Sequence, residues 1–317
     1  MKIDIIGAGM SGLLAGAMLR EDCGTIFEAQ SELPNNHSAV LRFRTSAVSD
    51  ALNIPFKKVK VMKSSHPWMN SIADAMAYSM KTNGTPTLRS IVNVDGNISD
   101  RFIAPPDLID RMGAMVKSRI EFNHSFDFSL RRPEHKFNPL ISTMPMPVLM
   151  KALNYPLGGS GYPLRFPQRE GFNVTATILG ANAYCSLYIP DPRVPASRIS
   201  ITGDQLIVEC YADFDSEHEK DPKFWRELAT LGCGYIGLPQ VDLTKIELKR
   251  QKYAKILPID EDIRKKFILW ASEEHGIYSL GRFATWRPGL MMDDVVNDVR
   301  VIHRLINGGS SYAAKKG

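Results

Sequence analysis

The residues best suited to chemistry lie at the start of the chain. Gly7-Ala8-Gly9-Met10-Ser11-Gly12 follows the β-branched run of Ile3, Ile5 and Ile6. It precedes Leu13 to Arg20, a small, apolar stretch of good helix formers. Thr25-Ile26-Phe27 then returns as a strand that ends at Glu28. In this order each glycine has a distinct role. Gly7 permits a tight turn, Gly9 lets backbone approach a pyrophosphate, and Gly12 lets the helix pack closely on the sheet. The helix start presents unpaired N–H groups and the positive end of its dipole, which suit phosphate oxygens. Glu28 stands where a carboxylate accepts hydrogen bonds from a ribose. An ordinary glycine-rich βα turn shares the spacing. The flanking strand, helix and acid favour a dinucleotide, with Met10 and Ser11 at its phosphates.

A second group of candidates is cationic. Val40, Arg42 and Arg44 alternate with Leu41 and Phe43, which reads as a strand with both arginines on one face. Two guanidiniums side by side suit an anion, although a solvated strand face has the same pattern. Arg287 is a further anion candidate. Basic runs recur at Lys57-Lys58, at Lys249-Arg250 with Lys252 and Lys255, and at Arg264-Lys265-Lys266. Converged on one side, they would steer anions or nucleic acid; separately they are solvated faces. Among seven histidines no metal-ligand spacing occurs and no Ser/His/Asp arrangement stands out. His37 and His66 are the best site candidates of that type. The cysteines, Cys23, Cys185, Cys210 and Cys233, are far apart, which reads as reduced thiols without a zinc site.

These residues need a scaffold. The chain has 317 residues, 44% of them hydrophobic and 23% charged, which excludes disorder, collagen and small disulfide scaffolds. The formal net charge is +5, a mild excess that bears on steering and not on fold. No apolar run reaches the roughly 18–20 residues of a membrane span, and MKIDIIGAG runs straight into a strand without room for a signal peptide, so a cytoplasmic location is expected. Val59 and Val61 alternate with Lys58 and Lys60 as a strand. Trp68, Ile72, Met76 and Met80 have helical spacing and read as a core-facing stripe. Leu108 to Val116 reads as a helix and 118–128 as a strand pair. Four strands between 171 and 212, a helix near 222–231 and a strand near 246–256 predict an antiparallel sheet. Gly158-Gly159-Ser160-Gly161-Tyr162 lacks the Lys-Ser/Thr of a P-loop and reads as a tight or mobile connection. Near the C-terminus, Ile277, Tyr278 and Leu280 form a short strand broken by Gly281-Arg282. Trp286-Arg287-Pro288-Gly289 is a turn, and Asp293-Asp294 opens an amphipathic helix.

Three stretches in this order, IIGAGMSGLLAG, LISTMPMPVL at 140–149 and GRFATWRPGLMMDD, resemble the FAD-dependent amine oxidase superfamily. The likeness is to the branch that includes UDP-galactopyranose mutase and protoporphyrinogen oxidase. Ser142-Thr143-Met144-Pro145 is similar to that branch's S/N-T-x-P strand end, and Gly281-Arg282-Phe283 with Trp286 to its G-R-[FYL]-x-x-[WY] segment. The resemblance implies an α/β fold: a Rossmann-like FAD-binding domain of the glutathione-reductase type, with an interleaved antiparallel-sheet substrate domain. The division expected is 1–50, 88–150 and 272–317 for FAD, and 51–87 and 151–271 for substrate. It implies FAD as cofactor, with Gly281 and Arg282 near its pyrophosphate and ribityl chain, Thr143 beside it, and Met292 and Asp293 facing the flavin. Relatives carry a Gly-Gly-Arg element after the acid, which residues 35–44 lack; Arg42 or Arg44 stands in for it. The implied activity is oxidation of an amine or adjacent C–H bond by hydride transfer to flavin N5, on a small-molecule or anionic substrate or one borne on nucleic acid. A non-redox mutase or lyase of the UDP-galactopyranose mutase type is the alternative. Arg44, His66 and Trp286 are the candidates for a catalytic role, with a packed aromatic as the other reading of Trp286.

Overall fold

The computed structural model describes residues 1–33, 42–66, 71–86, 97–130, 138–156, 165–211, 220–238 and 241–313. The first β-branched run is β1 (Ile3–Ile6), and the helix formers after the glycines are α1 (Met10–Leu19). Then come β2 (Cys23–Phe27), β3 (Arg42–Phe43), α2 (Ala47–Leu52), β4 (Lys57–Ser65), α3 (Ile72–Asn83), β5 (Asn97–Ile103), α4 (Leu108–Val116), β6 (Ile120–Glu121), β7 (Leu140–Ser142) and α5 (Met146–Ala152). The second half holds β8 (Gln168–Ile178), β9 (Ala183–Tyr188), β10 (Ala196–Gly203), β11 (Gln205–Cys210), α6 (Pro222–Tyr235), β12 (Leu243–Ile256), α7 (Glu261–His275), β13 (Ile277–Ser279) and α8 (Met292–Ala313).

A parallel sheet of order β13-β7-β1-β2-β6 carries the N-terminal turn. Its central strands are fully covered, so they read as Ile/Leu runs and not as alternation. Ile3, Ile5, Leu13, Leu14, Ile26 and Ile141 are all at 0% exposure. Each such aliphatic side chain contributes about 1.5–3 kcal/mol relative to exposure. β1 is flanked by β2 on one side and β7 on the other, so successive connections diverge at its carboxyl end. That divergence opens the crevice in which α/β sheets bind ligands.

A second sheet has order β12-β8-β11-β10-β9-β4-β5-β3. It is mixed and not purely antiparallel as expected, because β4 and β9 pair in parallel, with Lys63 opposite Ser186 and Ser65 opposite Tyr188. One face is apolar: Val174, Ala176, Ile199, Ile201, Leu206 and Val208 pack with Leu228, Ala229 and Cys233 of α6. β3 and β5 belong to this second sheet. The strand pair expected at 118–128 is the two-residue β6, flanked by short 3-10 turns.

α3 corrects a second expectation. Ile72, Met76 and Met80 are 68%, 38% and 48% exposed, while Tyr78, Ser79, Thr82 and Asn83 are buried. The polar face turns inward because its groups have partners there. Ser79 Oγ donates to Thr85 O, Asn83 Nδ2 to Ser79 Oγ, and Lys81 Nζ to three carbonyls, of Ile189, Asp191 and Ala196. Val40, Leu41, Trp68 and the Gly158–Tyr162 segment lie outside the described residues. The four cysteines are unpaired with one another. Among the described residues no helix is long and apolar enough to cross a membrane.

Candidate functional site

A cavity of about 760 Å³ runs from the α1 turn to the polar face of the second sheet. This lies within the size range of small-molecule and cofactor sites. Its first wall is the glycine turn. Gly7 has φ +93°, and a Cβ there would meet Thr143 Oγ1 at 2.3 Å. A Cβ on Gly12 would lie 1.9 Å from the Gly7 carbonyl oxygen, so the helix could not sit so close to the strand. At Gly9 a Cβ would meet nothing within 4 Å, because Gly9 lines the cavity with Met10 and Ser11. The first turn of α1 has no side-chain cap and no acidic residue. Its N–H groups are therefore left for an anion in front of them.

Thr143, at the end of β7, donates through Oγ1 to Ile6 O at 2.8 Å and locks β7 beside β1. Gly281 follows β13 with φ +93°, and a Cβ there would crowd Ser11 Oγ at 2.7 Å. Ser11 Oγ also reaches Met292 Sδ at 3.8 Å. The two glycine turns, far apart in sequence, thus interlock at one end of the cavity. Arg282 reaches in from the second turn, with Nε donating to Leu290 O at 3.1 Å. Burial lowers the pKa of its guanidinium.

The opposite wall is built by strand register. Arg42 lies opposite Ile103, and Val59 opposite Arg101, which places Arg42, Arg101 and Lys63 on one face. Lys63 faces Ser186, Ser186 faces Ser200, Tyr188 faces Arg198, Arg198 faces Glu209, and Glu209 faces Asn173. Every one of these residues lines the cavity. The two serine hydroxyls meet at 3.1 Å. Arg198 makes a forked pair with Glu209, from Nη2 to Oε1 at 2.6 Å and from Nε to Oε2. Burial opposes the Arg198 charge, but Glu209 outweighs it and raises the pKa. Among the described residues Arg42 donates to the Cys185 carbonyl alone, at 3.5 Å. Burial, then the like charge of Arg198, pushes it down to about 10.

Of the residues singled out from the sequence, the cavity brings together Gly9, Met10, Ser11, Arg42, Arg44, Thr143, Arg282, Met292 and Asp293. Gly7, Gly12 and Gly281 shape the turns behind it. Glu28 follows the end of β2, beside the glycine turn. Its Oε2 accepts from Ala8 N at 2.7 Å and its Oε1 from Gln30 N at 2.9 Å, so the carboxylate fastens the glycine turn to the end of β2. Asp293 accepts from Arg44 N, Thr45 N and Thr45 Oγ1, tying the start of α8 to the segment after β3.

Three candidates stand apart. Trp286 is buried against Phe166, with φ +44° and Nε1 donating to Leu257 O at 2.9 Å, so it is a packed aromatic. His66 does not line the cavity and stacks edge-on with Tyr235 at 5.3 Å. Arg287 is held by Thr285 Oγ1 and Asp298 and does not line the cavity. His37 lies outside the described residues. Lys63, Arg101, Asn173, Ser186, Tyr188, Arg198, Ser200 and Glu209 do not stand out in the sequence. Their trace there is the alternation of polar with apolar residues, as in Arg198-Ile199-Ser200-Ile201 and Ile207-Val208-Glu209-Cys210.

No family model and no curated protein matches the chain. Solved structures do. The chain is similar to a reduced UDP-galactopyranose mutase, with 17% identity and a TM-score of 0.67 over 96% of this chain and 95% of that one. It is similar to a protein described as a protoporphyrinogen oxidase from Exiguobacterium sp. 255-15, with 10% identity and a TM-score of 0.59 over 97% and 99% of the two chains. An oxidoreductase from Methanosarcina mazei aligns over 96% and 100%, with 12% identity and a TM-score of 0.53. At these identities the likeness is one of fold. The shared fold is a Rossmann-type parallel sheet with a curled mixed sheet beside it.

Proposed function

We propose that the chain is an FAD-dependent oxidoreductase that oxidises an amine, or the C–H bond beside it, in the cavity between the two sheets. One observation carries the reading: the uncapped α1 turn and the polar face of the second sheet line the same cavity. The residues fit the cofactor. The open space at Gly9 admits a pyrophosphate, and the interlocked turns of Gly7 and Gly281 hold the backbone that borders it. When bound, FAD supplies the two-electron acceptor for a hydride leaving the substrate carbon. The chain's own residues do the rest. The Met10 and Ser11 amides take the phosphates, Arg282 places positive charge at the cofactor's side of the cavity, and Thr143 fixes β7 beside it. On the sheet wall, Arg198 held by Glu209, with the Ser186–Ser200 pair, orients the substrate.

The test is anaerobic mixing of the yellow protein with a panel of primary and secondary amines, including amines that carry an anionic group. Bleaching of the flavin by one class, with peroxide on re-aeration, supports the reading. A flavin that no amine bleaches overturns it. Turnover that needs pre-reduced flavin and consumes no acceptor would move the assignment to a mutase of the UDP-galactopyranose type.

A further inference from the structure

Among the described residues six basic side chains line the cavity, Arg42, Arg44, Lys63, Arg101, Arg198 and Arg282, against two carboxylates, Glu209 and Asp293, an excess of four positive charges. Like charges gathered in a partly desolvated space repel, and the fold gains nothing from holding them there without an anion. A pyrophosphate at the α1 turn supplies about two negative charges. The remainder has a definite place. Glu209 is spent on Arg198, and the Asp293 oxygens on backbone and hydroxyl donors of residues 44 and 45. Besides Arg44 and Arg282, which border the α1 and α8 end of the cavity, this leaves Arg42, Lys63 and Arg101, one each from β3, β4 and β5.

These three share one face by register, and none has an ion-pair partner among the described residues. Arg42 donates to the Cys185 carbonyl, and Arg101 to the Asp100 carbonyl at 2.6 Å. The charged neighbours that act on Lys63 are all cations: Arg101, Arg44, Arg42 and Arg198. The opposite faces of these strands are managed in the ordinary way. Lys58 pairs there with Asp100 at 2.8 Å.

We propose that Arg42, Lys63 and Arg101 form an anion site for a doubly charged, phosphate-like group on the substrate, so that the oxidised molecule is a small phosphomonoester. Donors from three strands suit a tetrahedral group better than a planar carboxylate. The uncompensated charge suits a dianion better than the single charge of a phosphodiester. The substrate end of this proposal rests on the flavin reading above; the anion site itself does not.

The holoprotein is unfolded thermally with rising inorganic phosphate, against sodium chloride at matched ionic strength, and its flavin spectrum is followed in parallel. Phosphate at about ten times its Kd should raise Tm by about 2 °C, with no comparable shift in chloride. Lys63→Met and Arg101→Gln should each keep FAD, unfold no lower than the parent without phosphate, and bind phosphate at least tenfold more weakly. An FAD-loaded protein that phosphate does not stabilise overturns the proposal. So do variants that bind phosphate like the parent, or that lose FAD instead, since the cations would then serve the cofactor. Tighter binding of a short oligonucleotide than of phosphate would replace the monoester with a nucleic acid. If the protein holds no FAD yet shows the phosphate response and its loss in the variants, the anion site stands and the flavin reading falls.

Discussion

Gly9 and Gly12 lie three residues apart in one motif, yet the structure gives them separable roles. A Cβ at Gly12 would meet the Gly7 backbone oxygen at 1.9 Å, and no side chain there is free to move aside. Gly12→Ala must push α1 off β1, an overpacking cost of about 1–3 kcal/mol or more. At Gly9 the protein offers nothing within 4 Å. Its φ of −69° and ψ of 176° suit alanine. Loss of glycine at the helix N-cap costs about 0.5–1 kcal/mol, and the stiffer unfolded chain returns about 0.4–1 kcal/mol. The net effect of Gly9→Ala on the protein without cofactor is therefore about zero. The methyl group would instead occupy the cavity where phosphate must approach, and FAD affinity should fall at least tenfold, about 1.4 kcal/mol. The assay is paired: thermal unfolding of the deflavinated proteins, and titration of each with FAD. A Gly9→Ala protein that binds FAD like the parent, or that is destabilised as much as Gly12→Ala, refutes the assignment of Gly9 to the ligand.

Glu28→Gln should lower stability by about 1–3 kcal/mol, because an amide NH₂ would face either Ala8 N–H or Gln30 N–H in place of an acceptor; denaturant unfolding reads this directly. Lys255 gives a pH signature. Burial, then the like charges of Arg198, Arg169 and Arg282, pushes it down to about 8 from 10.5. The unfolded chain binds more protons than the folded one between those values, so this group makes stability rise with pH from about 8 to 10.5. Burial raises the thiols of Cys23 and Cys210 to about 11 and about 12, from 9.0, so they lower stability above pH 9. Lys255→Met should therefore be stabilised relative to the parent at pH 7, with the difference shrinking towards pH 10.5. A difference that does not change with pH contradicts this.

Local chemistry explains what is legible in the sequence. The glycine turn and the Gly281-Arg282 break declare themselves within a few residues, because tight turns and helix starts constrain residue type at short range; Thr143 stands out only through the resemblance. The sheet wall of the cavity does not. Lys63, Ser186, Ser200 and Arg198 become neighbours only through the strand order and the parallel β4–β9 pairing, which joins residues more than a hundred positions apart. Each alternation alone reads as a solvated strand face. α3 misleads for the converse reason. Its Ile72, Met76 and Met80 stripe has helical period, but the buried face is decided by Lys81 and the hydroxyls that find carbonyls and each other. Glu28 does end β2 as its position in the chain implies. Its partners are the Ala8 and Gln30 amides, because a strand-end carboxylate beside a glycine turn meets backbone donors at once.

The central claim, that this chain holds FAD, is tested most directly by the visible spectrum of the purified protein, followed by quantitation of the nucleotide released on denaturation. Flavin bands and about one FAD per chain are expected, either as purified or after incubation with FAD. A colourless protein that stays colourless after that incubation, with its fold intact by circular dichroism, contradicts the claim.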